Sequence, residues 1–144
     1  MSSREYPDRP WVGIGVIAFR GEDVLLVRRS KPPRMGEWSI PGGAQHLGET
    51  AEAAARRELM EEAGITVGPL TVAVVVDALN HDEAGRARFH YTIIDFAGRW
   101  TGGEPVAGDD VSDARFFPPE ELPGLGLWEE AIRAIAEGRK RLAG

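Results

Sequence analysis

The feature that most constrains this chain is the stretch ARRELMEEAGI, which begins at Ala55. Its periodicity predicts a helix, and at 3.6 residues per turn Glu58, Glu61 and Glu62 point to the same side. Each like-charge pair at this spacing costs roughly 0.2–0.5 kcal/mol in an isolated helix. The acids also stand in the last turn before Gly64, where the helix dipole opposes negative charge. This stripe is either a solvated acidic face or a half-buried set of carboxylates that needs cations.

Composition bounds the class of protein. With 144 residues and 42% hydrophobic content, the chain predicts a single globular domain over residues 1–144. The first ten residues lack the apolar region of a signal peptide, and no apolar run approaches a membrane span, so we expect a cytoplasmic protein without membrane contact. The absence of Cys excludes disulfides and thiolate metal sites. A net charge of −6 argues against nucleic acid as a partner, so a small anionic substrate would need a local cation.

The pattern along the chain predicts strands that bracket a central helix. Thr50 is a plausible N-cap for a helix that runs to about Ala63, and a second helical region begins near Pro118 and resumes at Trp128. Strand-like apolar runs and glycine-rich or proline-rich breaks alternate in the rest of the chain. The predicted strands are 11–19, 23–27, 71–79, 88–96 and 114–118, with loops at 28–38 and 98–113 and a break at 41–43. This order favours an α+β fold or a mixed α/β sandwich.

The acidic stretch completes a longer pattern with the residues before it. Gly43 is followed by five residues, Glu49, seven residues, and then Arg57-Glu58-Leu59 and Glu61-Glu62. This pattern resembles the signature of the Nudix hydrolase family. Seven specified residues, each with a background frequency of roughly 7%, coincide by chance about once in 10⁸ starts. The segments WSIPGG and ARFFPPEEL also resemble the family, which implies a mixed β-sheet between helices.

The resemblance implies a metal-dependent reaction at a diphosphate. Hydrolysis of a diphosphate requires neutralisation of several oxyanions, and hard divalent cations held by carboxylates provide it. In this family the cation is Mg²⁺ or Mn²⁺. The implied metal ligands are Glu58, Glu61, Glu62 and the Gly42 carbonyl, with Glu61 also a catalytic, water-orienting acid and with Gly43, Glu49 and Arg57 as structural support of the site.

A late acidic loop supplies a further candidate. The alignment of GDDVSDARFF with the family's acidic loop points to Asp110 as a catalytic residue, either a ligand or a general base, with Asp109 and Glu104 as rivals. The family more often has Glu at this place, and a solvated loop acid is the alternative interpretation.

Substrate contacts are suggested by basic and aromatic residues. Arg28 and Arg29, in a loop that also carries Lys31 and Arg34, would hold terminal phosphates, or else form a solvated basic loop. Trp11 would stack on a nucleobase, or else pack in the core or at a dimer contact. A homodimer is common in the family.

The substrate class remains open at this point. The segments WSIPGG and GGAQHLGET resemble the ADP-ribose pyrophosphatase subgroup, which favours a nucleoside diphosphate linked to another group. A proline that marks many members of that subgroup is missing, since no Pro occurs between Pro69 and Pro105. Nucleoside triphosphates therefore remain an alternative, and so does a ligand-sensing domain without turnover.

Overall fold

Two long parallel strands at the centre of the chain organise the fold. In the computed structural model, which describes residues 4–32 and 34–143, β1 (Trp11–Arg20) and β7 (Ala87–Gly102) pair in parallel from Trp11 to Phe19. β6 (Thr71–His81) forms an antiparallel hairpin with β7 on its other side. β1 and β7 are rich in β-branched and apolar residues, which suit the middle of a sheet. The parallel pairing of β1 with β7 brings the start of the chain beside its middle.

Shorter strands extend the sheet on the far side of β1. β2 (Asp23–Arg29) pairs antiparallel with β1, and β8 (Val111–Phe117) pairs antiparallel with β2. The three remaining strands are β3 (Trp38–Ser39) on β2, β4 (Gly42–Ala44) on β1, and β5 (Thr66–Val67) on the end of β7. The result is one mixed sheet of eight strands.

One helix covers each face of this sheet. α1 (Ala51–Ala63) begins at Thr50, whose side chain accepts a hydrogen bond from Ala53 N–H at 3.0 Å. It ends at Gly64, which has a left-handed φ of 69° and donates its N–H to the Met60 carbonyl. α2 (Glu129–Ala143) follows a 3₁₀ helix (Pro119–Leu125) and packs on the opposite face. The predicted mixed sheet between helices is therefore confirmed, and no helix in the described part of the chain is long and apolar enough to cross a membrane.

Three sequence predictions were wrong in detail. The loop predicted at 28–38 begins and ends in strand, because Arg28 and Arg29 belong to β2 and Trp38 belongs to β3. The loop predicted at 98–113 begins as strand, because β7 continues to Gly102 and its end pairs with Thr66–Val67. The break predicted at 41–43 contains β4, since Gly42 and Gly43 pair with β1. Residues 1–3 and 144 of the predicted domain, and Pro33 of the predicted loop at 28–38, lie outside the described residues.

A buried carboxylate lies in the middle of the sheet. Asp95 of β7 is 7% exposed and faces Gly15 of β1, where a Cβ atom would stand 2.0 Å from Asp95 Oδ1. Burial raises the pKa of the Asp95 carboxyl to about 6, with Arg133 opposing this effect and Glu130 adding to it. Since the ordinary pKa is 3.8, the folded protein holds this proton more tightly than the unfolded chain.

This difference predicts that Asp95→Asn stabilises the protein above pH 6. The wild-type free energy of unfolding should fall as the pH rises from about 3.8 to about 6, with a full cost of about 3 kcal/mol when Asp95 is ionised in both states. Urea unfolding of both proteins at pH 4 and pH 8 measures the effect. The variant should gain most at pH 8, and Asp77→Asn, which removes an exposed carboxylate, should not. An equal pH dependence in wild type and Asp95→Asn would contradict the buried charge.

Candidate active site

Arg57 connects the acidic helix to the loop before it. Its Nη1 atom donates to Glu58 at 2.8 Å and to Glu61 at 3.1 Å. On its other side, Nε and Nη2 donate to the two oxygens of Glu49 at 3.1 and 2.7 Å, and Nη2 also donates to the Ala44 carbonyl. A planar guanidinium matches a carboxylate in this two-point geometry. The contact holds the end of the loop against α1, and the supporting role implied for Arg57 and Glu49 stays a prediction that this geometry favours.

Glu49 is the most strongly stabilised carboxylate of the group. Arg57, and the His46 N–H that donates to Glu49 Oε1 at 2.8 Å, lower the pKa of Glu49 to about 2. Glu49 in turn raises the pKa of Arg57 above its ordinary value. Glu49 is therefore ionised and fully occupied by the loop and by Arg57, which leaves little of it free for another cation.

Glu58 lies against the backbone of β4. Its side chain is 12% exposed, and a Cβ atom on Gly43 would stand 2.6 Å from Glu58 Oε1. Gly43 has no left-handed φ, so its lack of a side chain, rather than its backbone freedom, is what this contact requires. The glycine predicted as structural support thus gives Glu58 its place beside the loop.

Glu62 is the least compensated acid of the stripe. Its Oε1 accepts a hydrogen bond from Gly42 N–H at 3.1 Å. Burial nevertheless raises the pKa of Glu62 to about 8, because the Gly42 N–H and the Arg29 charge only partly offset burial and the neighbouring Glu58. A bound cation would stabilise the ionised form of Glu62.

The Gly42 carbonyl points towards the same region. Val16 N–H donates to the Pro41 carbonyl, and Gln45 N–H donates to the Val12 carbonyl. In an antiparallel pair these bonds alternate, so Gly42, which faces Gly15, turns its own N–H and C=O away from β1. Since the N–H meets Glu62, the carbonyl lies on the same side of the strand as the acids.

The loop between β7 and β8 closes the end of α1. Val106, Gly108 and Asp109 donate their N–H groups to the carbonyls of Ala63, Glu62 and Glu61 at 3.0, 3.0 and 3.3 Å. These carbonyls belong to the last turn of a helix and have no partner within it. The cap brings the late acidic loop directly to the end of the acidic stripe.

The candidate late acids differ in their surroundings. Asp110 has a left-handed φ of 65°, which Asp tolerates, and its Oδ1 lies 2.5 Å from Lys31 Nζ. Asp109 contributes its backbone to the helix cap, and Glu104 pairs with Arg20 at 3.0 Å. The catalytic role of Asp110 stays a prediction, and in this structure Lys31 occupies its carboxylate.

The three weaker candidates occupy different places. The charge of Arg29 lowers the pKa of Glu62, and its role in holding phosphates stays a prediction. Arg28, the neighbouring residue in β2, is exposed and turns to the opposite face of the sheet. Trp11 is half-buried beneath the Arg4 guanidinium, whose carbon lies 5.4 Å from the ring centroid. Trp11 shares its face of β1 with Gly13 and not with the acids.

The carboxylates fit a hard cation by their chemistry. Across residues 4–32 and 34–143, no three His, Asp or Glu side chains are arranged in a metal-binding geometry. The reason lies in the contacts above, since Glu58 and Glu61 turn to Arg57 and Glu62 turns to Gly42 N–H. Glu62 is half-buried, the Arg29 charge only partly offsets the effect of burial on its pKa, and oxygen atoms are the ligands that Mg²⁺ and Mn²⁺ prefer. The residues therefore fit such an ion.

Sequence reasoning missed two features of this region. The helix cap by Gly108 depends on a fold that brings a distant loop to α1, and no local pattern reveals it. Asp95 did leave a signal, because it is the single acid in the apolar run YTIIDF. A lone carboxylate in a strand of this kind is either paired or functional.

Comparison with known proteins identifies the family. A family model described as the NUDIX domain matches residues 9–137. An ADP-ribose pyrophosphatase from Methanocaldococcus jannaschii is 34% identical over 123 residues, which cover 85% of this chain and 70% of that protein. A putative 8-oxo-dGTP diphosphatase 2 from Mycobacterium tuberculosis is 42% identical over 95 residues, 62% of this chain and 61% of that protein. The crystal structure of a MutT NUDIX hydrolase from Burkholderia pseudomallei matches with a TM-score of 0.77 and 29% identity over 90% of this chain and 98% of that chain.

The chain belongs to the Nudix hydrolase family. The resemblance of the pattern from Gly43 to Glu62 to the Nudix signature is thereby confirmed, and so is the fold that it implies. As a Nudix hydrolase, the protein is an enzyme that hydrolyses phosphoric anhydride bonds.

The cap on α1 predicts that Gly108→Ala is destabilising. A Cβ atom at Gly108 would stand 1.8 Å from the Glu61 carbonyl oxygen, so the loop must move and its hydrogen bonds to the helix must lengthen. The free energy of unfolding should fall by about 1–3 kcal/mol. Gly124→Ala is the matched control, because a Cβ there meets no atom within 4 Å, and it should change stability by less than about 0.5 kcal/mol. Equal stability of the two variants in chemical denaturation would show that the cap is not formed.

Proposed function

We propose that the protein is a pyrophosphohydrolase dependent on Mg²⁺ or Mn²⁺ that cleaves the diphosphate of a nucleoside diphosphate linked to another group. A compound of the ADP-ribose type is the favoured substrate. The observation that carries the proposal is Glu62, a half-buried acid whose pKa is raised to about 8 by burial, although a backbone N–H of the loop and the Arg29 charge both lower it. Beside it, Glu58 and Glu61 share a single guanidinium.

The roles of the residues follow from their positions. Glu58, Glu61, Glu62 and the Gly42 carbonyl would hold the cation. The bound cation would neutralise the diphosphate oxyanions and supply a water of lowered pKa. Glu61, whose side chain is 48% exposed, would orient the attacking water. Arg57 fixes the loop and the helix in one geometry, which keeps the carboxylates near each other despite their repulsion.

Arg29 and Asp110 complete the proposed reaction site. Arg29 acts electrostatically on Glu62, and its guanidinium would neutralise phosphate oxygens close to the acids. Asp110 would act as general base only after it leaves Lys31. A phosphate group that draws Lys31 away would release the Asp110 carboxylate.

The substrate class draws on two relatives. The relative from Methanocaldococcus jannaschii, an ADP-ribose pyrophosphatase, matches over 85% of this chain and supports the first choice. A nucleoside triphosphate is the second choice, because the relative with 42% identity is a putative 8-oxo-dGTP diphosphatase and no Pro occurs between Pro69 and Pro105. A sensing domain without turnover is disfavoured, since all four acids of the signature pattern, Glu49, Glu58, Glu61 and Glu62, are present.

Glu62→Gln should abolish turnover and leave the protein folded. Glutamine keeps an acceptor for Gly42 N–H but removes the charge that would bind the cation. We expect kcat/KM to fall by about 10³-fold or more, equivalent to roughly 4 kcal/mol. Product release from ADP-ribose, nucleotide sugars, dinucleotides and nucleoside triphosphates measures the effect. Glu52→Gln, which changes an exposed acid in the first turn of α1, is the control and should retain wild-type activity. Full activity of Glu62→Gln would refute the assignment of the site.

Divalent cations should stabilise the wild-type protein through the same acids. A ligand that binds only the folded state raises the free energy of unfolding by about 2.7 kcal/mol at one hundred times its Kd. Thermal unfolding with increasing Mg²⁺ or Mn²⁺ should therefore raise Tm in the wild type and in Glu52→Gln, and much less in Glu62→Gln. A Tm that responds equally in all three proteins would place the cation elsewhere.

A further inference from the structure

Two arginines border a buried phenylalanine on the face of the sheet that α2 covers. Phe19 of β1 is 4% exposed and belongs to the core cluster on the α2 side. Arg99 of β7 lies opposite Phe19 in the parallel register, so the two side chains share this face. Arg139 of α2 lies over the ring, with its guanidinium carbon 4.9 Å from the ring centroid. Two positive charges therefore converge on one apolar side chain.

No carboxylate of the described chain neutralises these two arginines. Arg139 Nη1 donates to the Glu22 carbonyl at 2.7 Å, and Arg99 Nη2 donates to the Leu142 carbonyl. Among the described residues, neither guanidinium forms an ion pair with Asp or Glu, in contrast to that of Arg57. A guanidinium has five N–H donors, so each arginine retains several after its bond to a backbone carbonyl.

One of the remaining donors is buried without an acceptor. The Nη2 atom of Arg139 is sealed from solvent and has no hydrogen-bond partner in the part of the chain that the structure describes. A buried donor of a charged group is costly when it is left unpaired. A ligand that accepts hydrogen bonds from this guanidinium would offset that cost.

A cavity opens beside the two guanidiniums. Its volume is about 200 Å³, and it lies between the β1–β2 turn, the end of β7 and the last turn of α2. Besides Phe19 and the two arginines, its lining comprises Gly21, Glu22, Leu142 and Ala143. Pockets for drug-sized ligands usually measure about 300–1,000 Å³, so this one suits a smaller group. A phosphate is small enough, and its oxygens can accept from two guanidiniums at once.

We propose that this cavity binds a phosphate group through Arg99 and Arg139, at a site separate from the acidic stripe. The guanidiniums supply the positive charge and the planar pairs of donors that match phosphate oxygens. Helix α1, which carries the acids, packs on the other face of the sheet, so the bound group is not the diphosphate of the proposed reaction. A bound phosphate would join the β1–β2 turn, β7 and α2, and would stabilise this end of the fold.

Two features near the cavity affect the design of the test. Glu22 is exposed at its rim, and its carboxylate would repel a phosphate or compete with it for Arg139. Arg99 binds the carbonyl of Leu142 near the end of α2, and cations are favourable at the end of a helix even without a ligand. Replacement of Glu22, and of the exposed Arg141 in the same turn of α2, separates phosphate binding from these two effects.

Thermal unfolding with increasing orthophosphate tests the site, without divalent cations and with ionic strength held constant by chloride. We expect Tm of the wild type to rise, because a ligand that binds only the folded state stabilises it. In Arg99→Gln and Arg139→Gln, the Kd derived from this rise should increase by about tenfold or more. Arg141→Gln removes the same charge and should keep the wild-type Kd, whereas Glu22→Gln should lower it. A wild-type Kd in both Arg99→Gln and Arg139→Gln overturns the inference, and so does a wild-type Tm that does not respond to phosphate.

Backbone amide chemical shifts locate the phosphate in the wild type, so the test holds even if an arginine variant does not fold. Phosphate should shift the amide signals of Gly21, Glu22 and Leu142 and leave those of Gly42 and Gly43 unchanged. Shifts confined to Gly42 and Gly43 would place the anion at the acidic stripe and overturn the inference. Ribose 5-phosphate, as a second probe, identifies the source of the phosphate. Shifts of the same amides by both probes assign the site to phosphate monoesters, and shifts by orthophosphate alone assign it to the free anion. Because no turnover is measured, failure of this test leaves the proposed hydrolase intact.

Discussion

The site depends on the hydrogen bonds that the guanidinium of Arg57 makes. It joins the loop, through Glu49 and the Ala44 carbonyl, to the helix, through Glu58 and Glu61. Glu49 and Glu58 are only 18% and 12% exposed, so water cannot solvate their charges fully. Without Arg57 these acids would be left buried, close together and unpaired, which is costly. The path of the loop and the arrangement of the acids on α1 therefore form one unit.

Two other carboxylates are left without such a partner. Burial raises the pKa of Glu62 to about 8 and that of Asp95 to about 6, so each weakens the folded protein near neutral pH. Glu62 has one backbone N–H, and Asp95 has no donor among the described residues. The two acids belong to opposite sides of the sheet, since Glu62 projects from α1 and Asp95 stands on the face that α2 covers. At Glu62, a bound cation would supply the missing charge and remove this cost to stability.

The sequence predicted what local periodicity and composition determine. The acidic stripe, the cap at Thr50 and the end at Gly64 all follow from spacing within one helix, and the structure has them in place. The contact between Asp95 and Gly15 could not be predicted in this way, because it depends on the parallel register of β1 and β7, which are far apart in the chain. The error at 98–113 has a similar cause. The polar, glycine-rich end of β7 is strand because β5 pairs with it, not because of its own propensity.

Three glycines lie where an atom from a distant part of the chain comes close to the backbone. Gly15, Gly43 and Gly108 lack left-handed φ values, so the freedom of their backbone does not explain them. Each instead meets an atom within 2.6 Å of its missing Cβ: an oxygen of Asp95, an oxygen of Glu58 and the carbonyl of Glu61. Glycine in a strand weakens it unless another group needs the space. In this chain that group is a carboxylate or the end of the acidic helix, so these three glycines mark the places where the fold had to admit an acid close to the backbone.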